Sequence, residues 1–203
     1  MQRHKNLLFP LALTLLVLLL SSLEPLSSQW LDFDRELIHQ GQWWRLITGH
    51  WVHLNFKHTL LNLGGLLLVT LIFLEELHWL EDALVFLGCC LLVGLGLLWL
   101  TDIEVYVGLS GVLHSLMIYY LMRSYKTSPK ITLLGFLGVT AKIFWEQTPW
   151  SNTIGTAQLI GGPVAVQAHL LGWIAGLISG GGILLWQKFN TRLITTRNAS
   201  FRN

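Results

Sequence analysis

The chain has 203 residues, of which 53% are hydrophobic and only 12% are charged. Soluble domains carry about a quarter charged residues, so this composition argues against an ordinary soluble domain and predicts an integral membrane protein. The formal net charge is +2, and the basic residues cluster at the edges of apolar segments instead of forming one basic face. We therefore expect membrane lipid, and no nucleic acid, among the partners.

Six apolar stretches are long enough to cross a bilayer at about 20 residues per crossing. Backbone amides in lipid must be bonded within their own segment, which favours helices. The predicted spans are 7–23, 57–74, 82–100, 108–123, 131–148 and 164–187, in one domain over residues 1–203. The first span follows a short basic segment, as in a signal peptide, but its cleavage site is weak and we expect an uncleaved helix. The predicted fold class is all-α, a six-transmembrane-helix membrane bundle.

Two connections between spans carry a structural signal. The loop 24–56 is rich in tryptophan and has charges of both signs, which indicates a structure lying in the membrane interface. The loop 149–163 contains Gly155, Gly161, Gly162 and Pro163 and is predicted to be a flexible connection.

Small residues inside the spans predict how the helices pack. Gly172, Gly176 and Gly180 recur every fourth residue in the sixth span, which indicates a face where another backbone approaches closely. Cys89 and Cys90 are adjacent and mid-span, so we interpret them as buried apolar residues and not as a disulfide.

The distribution of Lys and Arg predicts the orientation of the chain. With a cytoplasmic N-terminus, three basic residues face outward: Arg35, Arg45 and Lys57. The cytoplasmic side then holds Arg3, Lys5, Arg123, Lys126, Lys130, Lys188, Arg192, Arg197 and Arg202. This bias predicts that both termini are cytoplasmic. One cytoplasmic loop is acidic and has no basic residue of its own, with Glu75, Glu76, Glu81 and Asp82.

In this orientation the second, fourth and sixth spans all run inward from the outer face. His58 and Asn62 lie in the first turns of the second span, Ser110 near the start of the fourth, and His169 about five residues into the sixth. At about 1.5 Å per residue these groups fall within roughly 10 Å of the outer surface. Three distant segments thus place a serine, an imidazole and amide donors at one depth.

These residue types suit nucleophilic catalysis. His169 shares the helix face of the glycine row, so close packing of the sixth span on the fourth would bring it to Ser110. A serine hydroxyl becomes a good nucleophile when a base takes its proton, and an imidazole can do so near neutral pH. Backbone amides at the start of the fourth span, with the Asn62 amide and the His58 ring, would then bind an oxyanion. The joint placement favours catalysis, whereas the glycine-flanked serine alone does not.

Other charged residues are interpreted as structural. Lys142 and Glu146 are spaced i,i+4 and predict an ion pair that shields both charges. Asp102 and Glu104 are close to Ser110 in sequence and are candidates for a third group that orients His169, but their position in a loop favours solvation. We therefore expect a Ser-His dyad.

The pattern resembles the rhomboid family of intramembrane serine proteases along essentially the whole chain. The matching motifs are His58-x-x-x-Asn62, Gly108-x-Ser110-Gly111, Ala168-His169-x-x-Gly172-x-x-x-Gly176 and, in the first loop, Trp44-Arg45. The resemblance implies a rhomboid-like bundle with Ser110 as nucleophile and His169 as base and later acid. It also implies that His58, Asn62 and the Ser110 amide stabilise the oxyanion. No metal and no other cofactor is expected.

One position departs from the family pattern. Many rhomboids have a tyrosine one turn after the serine, stacked on the catalytic histidine, and this chain has His114 there. We place His114, with Gly108 and Gly111, in the shell around the site. His114 is expected either to pack on His169, to alter its proton affinity, or to compete as a base.

The string from Gly108 to His114 and the six-span layout look most like the rhombosortase branch. That resemblance implies a bacterial inner-membrane enzyme whose site opens to the periplasm. Its substrates would be transmembrane or tail-anchored proteins with a C-terminal Gly-Gly motif, a hydrophobic helix and a basic end. Hydrolysis and transpeptidation are both open.

Two other functions compete with proteolysis. A catalytically inactive rhomboid-like protein would bind membrane clients, although both Ser110 and His169 are present. A membrane metal or haem protein would use some of the eight histidines, and it would need histidines paired across helices.

For the protease, peptide entry is expected to require movement of the fifth span and of loop 149–163.

Overall fold

A computed structural model describes the backbone of residues 6–200 and the side chains of residues 6–185. The chain is mostly helical, at 72%. The helices in this part are α1 (Leu8–Ser22), α2 (Leu26–Leu31), α3 (Arg35–His39), α4 (Arg45–Thr48), α5 (Phe56–Ile72), α6 (Trp79–Leu100), α7 (Ser110–Ser124), α8 (Pro129–Glu146), α9 (Ile154–Ile160) and α10 (Val166–Ser200).

Each predicted span corresponds to one of the longer helices, namely α1, α5, α6, α7, α8 and α10. Among the described residues, Trp79–Leu100 and Val166–Leu185 are long and apolar enough to cross a membrane, and α1 and α5 are shorter apolar helices. Helix α7 has 15 residues, about 22 Å, which is shorter than the roughly 30 Å hydrocarbon core. Six crossings therefore remain a prediction. Helix α10 extends past the predicted end at 187.

The all-α expectation needs one correction. Strands β1 (Phe33–Asp34) and β2 (Val105–Tyr106) pair antiparallel, with Phe33 opposite Tyr106. The Arg35 N–H extends this ladder by donating to the Glu104 carbonyl oxygen at 2.9 Å. The ladder ties the first loop to the loop just before Ser110, so it helps to fix the entrance of α7.

Helix α7 lies at the centre of the bundle and contacts α5, α6, α8 and α10. Its closest neighbour is α10. A Cβ atom on Gly172 would lie 1.9 Å from the Gly111 carbonyl oxygen, and one on Gly176 would lie 2.6 Å from the Ser115 carbonyl oxygen. A Cβ on Gly180 would likewise lie 2.6 Å from the Met122 sulfur. The glycine row therefore lets the two helices pack backbone to backbone, as small residues do in membrane bundles.

The first loop is a folded segment with short helices and exposed indole rings at Trp30, Trp43 and Trp44, which suits an interfacial position. The buried Arg45 guanidinium holds it together. It donates to the backbone carbonyls of Asp32 and Gln29, both at 2.8 Å, and it binds the Asp32 carboxylate. Packing of α4 on α6 then anchors the loop to the bundle.

Replacing Arg45 by methionine is expected to lower the free energy of unfolding by about 2 kcal/mol or more, because the Asp32 carboxylate would lose its counter-ion in a partly buried site. Unfolding in detergent micelles measures the change. The exposed Lys57 provides the control, Lys57→Met, which is expected to alter stability little. Equal stability of the two variants would contradict this role of Arg45.

Half of the twelve Lys and Arg side chains that predict the orientation lie outside the described ones: Arg3, Lys5, Lys188, Arg192, Arg197 and Arg202. Arg123 is described, and it supplies the acidic loop with the positive charge that the loop lacks. Its guanidinium lies 2.5 Å from Glu81 Oε1 and 3.4 Å from Glu76 Oε2. The Tyr119 hydroxyl also donates to Glu81, at 2.6 Å. A side chain from α7 therefore forms ion pairs with two carboxylates of the acidic loop.

Candidate active site

Ser110 is the first residue of α7, and the backbone leading to it is firmly held. Gly108 has a φ of +120°, which favours glycine. Its N–H donates to the Gly49 carbonyl at 3.1 Å, and its carbonyl accepts from the Tyr106 hydroxyl at 2.6 Å. No side chain caps α7, and the first amides of a helix have no acceptor within it. The entrance therefore offers N–H donors to a developing negative charge.

His169 is positioned between Ser110 and Glu146. Its Nε2 lies 3.1 Å from Ser110 Oγ, and its Nδ1 lies 2.9 Å from Glu146 Oε2. An ionised carboxylate only accepts hydrogen bonds, so Nδ1 carries the proton and Nε2 presents its lone pair to the serine hydroxyl. This is the arrangement that a general base needs.

A carboxylate that was not expected at the Ser-His pair, that of Glu146, therefore also binds His169. The two acidic residues considered for that role, Asp102 and Glu104, are exposed, and Glu104 lies 3.6 Å from Arg35 instead. The predicted Lys142–Glu146 ion pair is confirmed at 3.0 Å, and the other carboxylate oxygen of Glu146 binds His169. The position of Glu146 near the outer end of the fifth span was the sequence feature that could have indicated its contact with His169.

His114 packs on His169, with ring centroids 4.4 Å apart and planes at 32°. Its Nδ1 lies 2.7 Å from the Ser110 carbonyl oxygen and its Nε2 lies 2.8 Å from Lys142 Nζ. A carbonyl accepts and an ammonium donates, so Nδ1 is protonated and both ring nitrogens are occupied. In this arrangement neither ring nitrogen of His114 is free to take the proton of Ser110.

His58 and Asn62 lie beside Gly108, two residues before Ser110. A Cβ on Gly108 would be 2.9 Å from His58 Nε2 and 3.8 Å from Asn62 Nδ2. The Leu54 N–H donates to His58 Nδ1 at 3.4 Å, which leaves Nε2 as the protonated nitrogen of the neutral ring. The Asn62 amide uses one hydrogen on the His58 carbonyl, at 3.2 Å. Both side chains keep an N–H for a ligand near Ser110.

Two further histidines, His50 and His53, are buried near this region. The sequence analysis assigned no role to either of them. His53 meets the His58 ring edge-on at 4.9 Å, and its nitrogens have no partner within the described part of the chain. Burial, and to a smaller extent the repulsion that His53 and His58 would feel if both were protonated, lowers the pKa of His53 to about 3. Burial lowers the pKa of His50 to about 4. Both rings are therefore neutral at pH 7 and add no charge beside the site.

A cavity of about 1320 Å³ opens onto these groups and is lined by Ser110, His169, His58, Asn62 and parts of α5 and α8. Pockets for small ligands are usually about 300–1,000 Å³, so this volume suits a peptide segment. Loop 149–163, which was predicted to be a flexible connection, also borders the cavity. It contains α9, and the Asn55 amide donates to the Ile160 carbonyl at 2.6 Å.

Cys89 and Cys90 are buried and unpaired, as predicted. Across the described residues, no three His, Cys, Asp or Glu side chains converge as metal ligands.

If Asn62 donates to an oxyanion, as the sequence predicts, replacing it by alanine is expected to reduce kcat for peptide cleavage about 10²-fold, because one oxyanion donor is lost. The effect on KM should be small, since the donor acts on charge that exists only in the transition state. Steady-state kinetics on a cleavable peptide measure both constants. A variant that keeps full kcat would exclude Asn62 from oxyanion binding.

Comparison with known proteins places this geometry in a family. A model of the rhomboid domain matches residues 40–186, which include every site residue described above. No curated protein matches the chain significantly. Rhomboid proteins are membrane-embedded and are generally intramembrane serine proteases. The chain belongs to the rhomboid family.

Proposed function

We propose that this protein is an intramembrane serine endopeptidase with Ser110 as its nucleophile. The observation that carries the proposal is the 3.1 Å separation of Ser110 Oγ and His169 Nε2 beside a peptide-sized cavity. A serine placed for helix structure alone would need no imidazole lone pair at its hydroxyl. A base within hydrogen-bond reach is what makes that hydroxyl reactive.

The first half of the reaction forms an acyl-enzyme. Ser110 Oγ attacks the scissile carbonyl carbon while its proton passes to His169 Nε2. The carbonyl oxygen becomes an oxyanion and accepts hydrogen bonds from His58, Asn62 and the Ser110 N–H. The carbon–nitrogen bond then breaks, and the proton on His169 goes to the leaving amine.

The second half returns the enzyme to its starting state. Water attacks the acyl carbon and gives its proton to His169, and the carbon–oxygen bond to Ser110 breaks as the proton returns to Oγ. An amine in place of this water would give a new amide by the same proton transfers. The proposal is hydrolysis, and transpeptidation is the variant outcome.

For location, we propose a bacterial inner membrane, six crossings, cytoplasmic termini and a site open to the periplasm. The Lys and Arg distribution supports this orientation. Cleavage would then occur near the outer face of a substrate's transmembrane segment. Helix α8 is mostly exposed, with only Thr132 and Ile143 buried among its residues, so movement of α8 and of loop 149–163 is the proposed route of entry.

For the substrate, we propose exported proteins with a C-terminal Gly-Gly motif, a hydrophobic helix and a basic end. The support is the resemblance of the string from Gly108 to His114 to the rhombosortase branch. Small residues also suit a cleavage site that must unwind, because glycine destabilises a helix by about 1 kcal/mol relative to alanine.

Co-expression with a tailed reporter protein tests this proposal. The reporter carries the Gly-Gly motif, the hydrophobic helix and the basic end, and a matched reporter has Leu-Leu in place of Gly-Gly. Wild type is expected to release the first reporter, and Ser110→Ala to release neither. Equal release by Ser110→Ala would rule out the protease, whereas equal release of the two reporters would rule out only the Gly-Gly specificity.

A further inference from the structure

We infer that Glu146 is a positioning residue for His169, so that the site works as a Ser110–His169–Glu146 triad that Lys142 holds in place. This inference rests on the proposed protease function and deepens it. It differs from the Ser-His dyad that the sequence predicts.

The first support is the hydrogen bond itself. Glu146 Oε2 lies 2.9 Å from His169 Nδ1, and their side chains are only 15% and 8% exposed. Little water competes for the bond, and a charge-assisted hydrogen bond is stronger than a neutral one. The bond fixes the tautomer in which Nε2 accepts the proton of Ser110, as the aspartate does in serine-protease triads.

The second support is that the other carboxylate oxygen is also engaged. Lys142 Nζ lies 3.0 Å from Glu146 Oε1 and 2.8 Å from His114 Nε2, and His114 Nδ1 reaches the Ser110 carbonyl at 2.7 Å. Hydrogen bonds therefore form a closed ring from Ser110 through His169, Glu146, Lys142 and His114 back to Ser110. Each member is held by two neighbours, which keeps the carboxylate aimed at the base.

The third support is the charge balance during the reaction. Before the reaction, the positive charge of Lys142 and the negative charge of Glu146 sum to zero. When His169 takes the proton of Ser110 it becomes an imidazolium, and the carboxylate one hydrogen bond away stabilises that charge. Because Lys142 is half exposed, solvent screens its repulsion more than it screens the shielded attraction between Glu146 and His169.

An ion pair that only shields charge does not account for these contacts. Lys142 and Glu146 are one helical turn apart on α8 and satisfy each other without help. His169 is on a different helix, 23 residues further along the chain, yet the free carboxylate oxygen points to its Nδ1. Alignment of the base therefore depends on the position of α8, and moving that helix would break the contact.

Kinetics of Glu146→Gln test the inference, with Asp102→Asn and Glu104→Gln as matched controls. A glutamine fills the same space, but its amide can donate to Nδ1 and favour the wrong tautomer. We expect kcat on the reporter peptide to fall about 10²-fold or more, since the corresponding aspartate-to-asparagine change in serine proteases costs about 10⁴-fold. KM should stay within about threefold. The controls should match wild type, because their carboxylates are exposed and lie outside the cavity.

A spectroscopic readout keeps the test valid if Glu146→Gln folds poorly. The proton NMR spectrum of ¹⁵N-histidine-labelled wild type should contain a far-downfield imidazole N–H resonance, assigned by its loss in His169→Asn. This resonance should also disappear in folded Glu146→Gln. Its absence from wild type would overturn the inference, and so would wild-type kcat in Glu146→Gln.

The two hypotheses fail in different ways. If wild type cleaves the reporter and Glu146→Gln does so equally well, the protease stands and the triad is wrong. If wild type shows no cleavage and no reaction of Ser110, the protease is wrong, and the downfield resonance still decides whether Glu146 binds His169.

Discussion

Replacing His169 by asparagine is expected to reduce kcat for peptide cleavage by at least about 10³-fold, with little change in KM. Nε2 of His169 lies 3.1 Å from Ser110 Oγ and is the proton acceptor within reach of it, because both nitrogens of His114 are engaged elsewhere. An asparagine amide cannot take a proton near neutral pH, so the hydroxyl would stay a weak nucleophile. Cleavage of a purified reporter in detergent or proteoliposomes measures the loss.

The matched control is His39→Asn, since His39 is exposed at the end of α3 and is expected to leave kcat unchanged. A His169→Asn enzyme that keeps more than about a tenth of wild-type kcat would contradict the role of His169 as base. That result would indicate that another group accepts the proton of Ser110.

Adding a single methyl group at Gly172 is the second large perturbation. In Gly172→Ala the new Cβ would lie 1.9 Å from the Gly111 carbonyl oxygen and 3.3 Å from His114 Cβ. The obstacle is backbone, so no side-chain rotation relieves it and α10 must move away from α7. His169 moves with α10, and a misplacement of about 1 Å in a catalytic group costs about 10²-fold in rate. We therefore expect both lower activity and a lower unfolding temperature.

Gly181→Ala on the same helix is the control, because a Cβ there would meet nothing within 4 Å. The same chemical change is expected to leave activity intact and to stabilise the helix slightly, since alanine has the higher helix propensity. If Gly172→Ala and Gly181→Ala behave alike, close α7–α10 packing does not set the Ser110–His169 distance.

The convergence of the site residues on one cavity could be predicted from sequence. Ser110, His58 and Asn62 lie near the starts of helices, and His169 lies in the first turn of α10. Distance along a helix is additive at about 1.5 Å per residue, so topology alone brings them to a common level. The glycine row then identifies which face of α10 meets α7, and the structure places Ser110 and His169 in contact on that face.

Lateral relations between helices could not be predicted in the same way. Depth does not reveal which neighbour a side chain faces, so Glu146 was interpreted only through Lys142, one turn away on its own helix. The partner of the acidic loop, Arg123, was missed for the same reason, since it comes from α7. The β1–β2 ladder and α9 were missed because two strand residues or one short helix leave little periodicity to read.

His114 illustrates what sequence can say about a departure from a family pattern. Its place one turn after Ser110 predicts that its ring lies near His169, and the rings do stack. Its protonation depends on Lys142, which is on another helix. The motif therefore predicts where the ring lies, but its hydrogen-bond partners depend on the tertiary structure.

Labelling by a fluorophosphonate probe tests the central claim most directly, because the probe forms a covalent bond with an activated serine and requires no knowledge of the substrate. Wild type in membranes is expected to be labelled at Ser110. Ser110→Ala should not be labelled, and His169→Asn should be labelled far more slowly. Folded wild type that resists the probe, or Ser110→Ala that is labelled as fast as wild type, would contradict the assignment of Ser110 as the nucleophile.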